Sequence, residues 1–284
     1  MSKSIALIFH ENEWKRTLRR FAIWHLAKIW RKDNIKVVTL FGVRKFIPAD
    51  LAILHVDLTL VPERYIEFAH RYPVALNGSV RDIRKSSFSE IRMDRRDGYS
   101  GPVIIKSELN YAGQPERKLL GTWSSRMALR LTGRMQASKK KHKVSALHFK
   151  SPLDYLIYED YRSVPADWLT RKDILIERFV PEIRDGLYCL RNYHFLGSQG
   201  ICMLRKSAHP IINMSNTISR DPIEVHPEIA ALAGNMGFDY GKFDYVLHKG
   251  KPVLLDANKT PGAALTPVFF SLSREWAKGI RTYL

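Results

Sequence analysis

The spacing of hydrophobic positions changes several times along the chain, and each change marks an element. Ile5–Phe9 is a short continuous apolar run, the pattern of a buried strand. Trp14, Leu18, Phe21, Ala22, His25, Leu26 and Ile29 then recur at helical spacing, with Arg16, Arg19, Arg20 and Lys28 on the other face. That pattern predicts an amphipathic helix. Lys36–Phe41 is rich in β-branched residues and predicts a second strand. Leu51–Val56 predicts a third, and Pro62–His70 a helix leading to Pro73–Leu76. Strand and helix alternate, which predicts a parallel α/β sheet over residues 1–76.

The middle of the chain is different. Gly101-Pro102 precedes Val103-Ile104-Ile105, a short buried strand, and a polar stretch runs from Lys106 to Gly113. Strand-like runs return at Ile174–Ile176, Leu187–Leu196 and Ile201–Arg205. Pro227 suits the first turn of a helix that continues from Ile229 to Met236 and stops at Gly237. Phe243–His248, a Lys249-Gly250 turn and Pro252–Leu255 predict a β-hairpin. No internal repeat interrupts this order.

Composition narrows the class. With 284 residues, 45% hydrophobic and 11% aromatic, the chain has the apolar surface for folded domains and is not disordered. Two cysteines, Cys189 and Cys202, cannot build a disulfide framework and lack metal-ligand spacing, so they read as reduced buried thiols. His10, His55, His194 and His226 could line a cleft or be ordinary packed or capping histidines. The first apolar run is too short for a signal-peptide core. No stretch approaches the ~18 apolar residues of a membrane helix. A cytoplasmic protein without a membrane span is expected. The 46 Lys+Arg against 28 Asp+Glu give a net charge of +18, which points to a polyanionic partner and says nothing of fold. Residues 116–150 carry ten Lys/Arg and one acid, so half of that charge lies in this segment.

The hairpin carries the first candidate chemistry. Lys242 and Asp244 are two apart and share a strand face, as do Asp256 and Asn258 across the turn. Two acids and an amide oxygen converging from paired strands suit Mg²⁺. Asp256 to Gly262 also has the composition of a plain turn. Lys106, at a strand end before Asn110 and Gly113, can hold phosphate oxygens while loop N–H groups cover them, or be an ordinary solvated lysine. Ile174–Val180, with Glu177, Arg178, Phe179 and Val180, could line an adenine slot or be an ordinary buried strand with Glu177 exposed.

Taken in order, the Lys106 strand and loop, Glu177-Arg-Phe-Val, Arg191, Gly-Lys-Phe-Asp244-Tyr and Leu-Leu-Asp256-Ala-Asn258-Lys-Thr-Pro-Gly262 resemble the ATP-grasp superfamily, which includes D-alanine–D-alanine ligases and peptide glutamate ligases. The resemblance runs from about Asn77 to Gly262. It implies an α/β (α+β) fold with an N-terminal domain (1–76), a central lid domain (77–180, with the basic insertion 116–150) and a C-terminal domain (181–284) that sandwich ATP. It implies Lys85 and Lys106 on the nucleotide phosphates, with Arg84 as a substitute for Lys85, and Asn110 and Gly113 in the covering loop. It implies Glu177–Val180 at the adenine, and Glu182 or Asp185 at the ribose. Asp244, Asp256 and Asn258 would hold one or two Mg²⁺ ions, with Mn²⁺ as an alternative. Lys242 and Arg191 would face the transferred phosphoryl group. Two positions depart from the family pattern: Asp256 stands where glutamate is usual, and Lys242 where arginine is usual.

The implied activity is an ADP-forming ligase that activates a carboxylate as an acylphosphate and joins it to an amine. Three alternatives remain open on sequence: an ATP-grasp kinase, a basic nucleic-acid-binding protein with a degenerate nucleotide fold, and a scaffold that binds nucleotide but no longer reacts. Nucleic acid is the less expected partner, since no recognition motif appears. Arg126, Arg130 and Arg134 recur every four residues, a cationic helix stripe suited to an acidic peptide or carrier protein, or simply a solvated face. Dimers are common in the family, so a homodimer is a further option.

Overall fold

The computed structural model describes residues 3–94, 96–122, 149, 151–264 and 266–284. Strand β1 (Ser4–Phe9) pairs in parallel with β2 (Lys36–Phe41) and β3 (Leu51–Leu54), and β4 (Ala75–Leu76) joins β3, giving the order β2-β1-β3-β4. β1 and β3 are buried along almost their whole length, as a parallel sheet covered on both faces requires.

The helix expected from Trp14 is split. A 3-10 turn (Lys15–Arg20) precedes α1 (Ala22–Lys32), with Phe21 extended between them. The cause is tertiary. Phe21 bridges Gly262, Ala22 N–H donates to the Pro261 carbonyl, and Ala263 N–H donates to the Arg20 carbonyl. Those bonds replace helical ones at the break. α1 then buries Ala22, Ile23, Leu26, Ala27 and Trp30, while α2 (Glu63–Ala69) buries Tyr65, Ile66, Phe68 and Ala69.

Residues 91–179 form a separate compact unit. β5 (Val103–Ser107) lies between β6 (Leu156–Tyr158) and β7 (Ile174–Arg178), all antiparallel. α3 (Gln114–Leu120) and α4 (Ala166–Leu169) belong to this unit. Val103, Ile105, Ile174 and Ile176 form its core with Phe149, Val164 and Trp168. Ile104, Lys106, Leu175 and Glu177 point to the other face, by the period-two alternation of strands.

The remaining strands build an antiparallel sheet. They are β8 (Glu182–Arg184), β9 (Leu187–Leu196), β10 (Gln199–Ser207), β11 (Ser219–Ile223), β12 (Tyr240–His248) and β13 (Lys251–Asn258). Their order is β11-β10-β9-β12-β13, with β8 also on β9. α5 (Pro227–Asn235) covers one face through Ile229 and Ala233, against Tyr193, Phe195, Cys202, Phe243, Tyr245 and Ala257.

The chain up to Glu90 and Val180–Leu284 form one unit, although the sequence separates them into first and third domains. Two features explain this. Trp276, Ala277 and Ile280, the first two from α6 (Pro267–Lys278), share a core with Ile5, Leu7, Leu26 and Trp30. Asn77, fully buried, donates from Nδ2 to the Tyr240 carbonyl at 2.7 Å and accepts at Oδ1 from the Asp239 and Tyr240 N–H groups. Among the described residues no helix is long and apolar enough to cross a membrane.

Candidate active site

The β12–β13 register sets the geometry. Lys242 lies opposite Asn258, and Asp244 opposite Asp256. Directly opposed residues of an antiparallel pair share a face, so all four side chains emerge together. Phe243 and Tyr245 point the other way into the α5 core. The register slips between Asp244 and Tyr245, an irregularity of the kind that re-aims side chains next to sites.

Each of these four side chains is held. Lys242 Nζ sits 2.7 Å from Asp244 Oδ2, and Asn192 Nδ2 donates to Asp244 Oδ1. Lys85 Nζ, almost buried, lies 3.1 Å from Asp256 Oδ1. Asn258 Oδ1 accepts from Thr260 N–H at 2.8 Å, and Thr260 Oγ1 donates to Asp57 Oδ1 at 2.8 Å. The side chains of Asp244 and Asp256 stay 15% and 26% exposed, open enough to meet a ligand. Two carboxylates and one amide oxygen are hard donors, and they fit a divalent ion that keeps waters and shares phosphate oxygens. The two ammonium groups resting on those carboxylates show that the acids attract cations from both sides. Among the described residues no cluster of three or more His, Cys, Asp or Glu could hold a metal ion.

Arg191 does not join them. It lies opposite Tyr245 on β12, so it points to the α5 side of the sheet. Its Nε and Nη2 bind Glu182 at 2.9 Å each, and its guanidinium lies over the Tyr245 ring. Glu182 is equally committed, since Oε2 also accepts from Leu247 N–H at 2.8 Å. Burial works against its charge, yet the Arg191 hydrogen bonds and the Leu247 N–H hold its carboxyl below the usual range. Arg191 and Glu182, expected at the phosphoryl group and the ribose, are committed to each other here and not to the Asp244–Asp256 face. The two residues form a buried ion pair behind the sheet. Asp185 lies in the β8–β9 turn with a φ of 54° and bridges Lys206. Arg84 is paired with Asp82.

Two arginines that sequence patterning missed lie on the carboxylate face. Arg205 on β10 is opposite Arg220 on β11, and Arg205 Nη1 donates to the same Asn192 side chain that binds Asp244. Alternation along β10 was visible in the sequence. The face it gave Arg205 follows from the pairing of β9 with β10, and the signal for that pairing was the two-residue turn Gly197-Ser198 between the two strand runs.

In the second unit, Lys106 Nζ meets Glu177 Oε2 at 2.5 Å. Glu177 is fully buried rather than exposed. The backbone edge expected to read adenine is partly in use: Arg178 N–H donates to the Ile91 carbonyl and Phe179 N–H to the Pro102 carbonyl. Arg178 itself is exposed and stacks on Tyr99, and Val180 is buried. Asn110 is buried, and Tyr111, Ala112 and Gly113 have φ values of 47°, 54° and 72°. Three consecutive left-handed residues, two of them not glycine, make a strained turn just after Lys106. Arg126, Arg130 and Arg134 lie outside the described residues.

No protein-family model matches the sequence, and no curated protein is a significant match to it. Solved structures match over essentially the whole chain. One is a D-alanine–D-alanine ligase from Bacillus anthracis, with 12% identity and a TM-score of 0.52, covering 99% of this chain and 96% of that one. A RimK-domain ATP-grasp protein from Sphaerobacter thermophilus shares 12% identity with a TM-score of 0.51, covering 98% and 99%. The macrocyclase MdnC from Microcystis aeruginosa MRC, bound with its precursor peptide MdnA, shares 9% identity with a TM-score of 0.50, covering 97% and 98%. At these identities the likeness is one of fold.

Proposed function

Because the chain has the ATP-grasp fold, we propose that it is an ATP-dependent ligase that activates a carboxylate and joins it to an amine. The observation that carries this is the hairpin register, which puts Asp244, Asp256, Asn258 and Lys242 on one face. Lys106 is assigned to the nucleotide phosphates, with the Asn110–Gly113 loop beside it, and Glu177–Val180 to the adenine. Asp244, Asp256 and Asn258 are assigned to Mg²⁺, which when bound would neutralise phosphate charge.

A substrate carboxylate oxygen attacks the γ-phosphorus. The bond to the bridging oxygen breaks, and ADP leaves with the electron pair. The amine nitrogen then attacks the acyl carbon, phosphate departs, and the nitrogen loses a proton. Charge gathers on the phosphoryl oxygens in the first step. Lys242 and Lys85, already fixed beside Asp244 and Asp256, supply positive charge there without reorganisation. The acceptor is proposed to be peptide-like and acidic. The support is the +9 segment at 116–150, and one member of the fold is seen with a precursor peptide.

The test is release of ADP and phosphate on mixing the full chain with ATP, Mg²⁺ and a panel of carboxylates and amines. Asp256→Ala should lower turnover at least about a hundredfold while the circular dichroism spectrum is unchanged. Full activity in that variant would sink the assignment. A stable phosphorylated product without an amide would move the protein to the kinases.

A further inference from the structure

Arg205 and Arg220 are an uncompensated pair. They lie opposite each other across β10–β11, on the face that holds Asp244. Neither forms an ion pair among the described residues. Arg205 is 6% exposed. Its Nε and Nη2 donate to Thr217 Oγ1 at 3.1 and 2.8 Å, and its Nη1 to Asn192 Oδ1 at 3.3 Å. Two of its five N–H groups remain. Arg220 is half-buried, and its Nε is fully buried without a hydrogen-bond partner.

Two adjacent guanidiniums drawn out of water repel each other and leave N–H groups unpaired, unless an anion sits on them. Burial pushes both pKa values down; for Arg205 the nearby Asp244 charge opposes that fall and Arg220 adds to it. Both stay protonated regardless. Asp244 forms no ion pair with either of them among the described residues. It is bound by Lys242, and Arg205 reaches it only through Asn192. β11 is three strands from β12, about 14 Å between backbones at ordinary strand spacing, so Arg220 lies at the far side of this face while Arg205 stays linked to Asp244 through Asn192, which puts a group held by the pair beside whatever Asp244 and Asp256 hold. Paired planar forks match a carboxylate well.

We propose that Arg205 and Arg220 form a carboxylate subsite that takes a second acidic group of the substrate. The compound being activated or joined is then a dicarboxylate or an acidic peptide, not a simple monocarboxylate. This rests on the ligase assignment for its meaning, but the subsite itself can be tested without turnover.

The full chain is titrated calorimetrically with glutarate, butyrate and methyl phosphate, each with and without ATP and Mg²⁺. Glutarate should bind at least tenfold more tightly than butyrate. Arg220→Gln should remove that preference, Arg220→Lys should keep part of it, and ATP affinity should stay within twofold in both. Arg205→Gln breaks the links to Thr217 and Asn192 and is expected to disturb the fold, so the half-exposed Arg220 decides the matter. Equal binding of glutarate and butyrate would overturn the subsite, as would a preference that survives Arg220→Gln. A matching loss of ATP affinity would give the pair to the nucleotide instead, and tighter binding of methyl phosphate would replace carboxylate by phosphate. A glutarate preference in a chain that binds no ATP would leave the subsite standing and remove the ligase assignment.

Discussion

His55 is fully buried, with its ring 4.9 Å from that of Phe9 and 4.7 Å from that of Phe21, and neither ring nitrogen has a hydrogen-bond partner. Desolvation pushes its pKa down to about 3. The unfolded chain takes up that proton near 6.5, so between the two values the unfolded state binds more protons. The stability contributed by neutral His55 is complete above pH 6.5 and falls as the pH drops toward 3, by about 1.4 kcal/mol per unit. Denaturant unfolding at pH 7, 6 and 5 should show this slope, and His55→Phe should flatten it by one proton. An unchanged slope would mean the ring finds a proton acceptor. The sequence left His55 between a cleft and a packed position, and the structure packs it. Its lack of any partner depends on the Phe9 and Phe21 rings around it, and no residue spacing states that.

At the scale of elements, faces and hairpin pairings were legible and distant pairings were not. Two-residue spacing was enough to put Lys242 with Asp244 and Asp256 with Asn258, because a hairpin fixes its own register. Arg205 follows from the same rule, since β9 and β10 form a hairpin closed by Gly197-Ser198, whereas the face of Arg191 toward the hairpin residues comes from the non-local β9–β12 register. The helix break at Phe21 has the same origin: its partner, Gly262, is 241 positions away. β7 offers a test of one pairing. Glu177→Leu leaves Lys106 buried and unmatched on β5, which should cost about 3–5 kcal/mol, and Lys106→Met with Glu177→Leu should recover most of it. Chemical denaturation of the singles and the double variant reads this directly. Additive losses would show that the pair does not act as a unit.

For the whole molecule, the charge was read correctly as a quantity and incompletely as a location. Half of the +18 lies in 116–150, while Arg205 and Arg220 add a small uncompensated cluster that no count reveals. The order of units was also only partly visible, since a chain that leaves a domain at Glu90 and returns at Val180 carries no local mark of doing so. Ile91 and Arg178 are joined by a 2.8 Å backbone hydrogen bond, so the two connections run side by side. Replacing 91–179 by a short Gly/Ser linker should therefore leave a cooperatively melting protein that has lost ATP turnover. A molten, non-cooperative product would show that the unit needs its insert. The shared core has a consequence for synthesis. The Trp30 indole donates to the carbonyl of Ala277, and Leu7 packs in one cluster with Trp276. At ordinary translation speeds the ribosome needs roughly 10–40 s to travel from Glu90 to Ile280. Over that interval the cluster formed by β1, β3 and α1 lacks Leu196, Tyr240, Trp276, Ala277 and Ile280 and is left partly open, so the protein's yield in the cell should depend on the chaperones that meet it there.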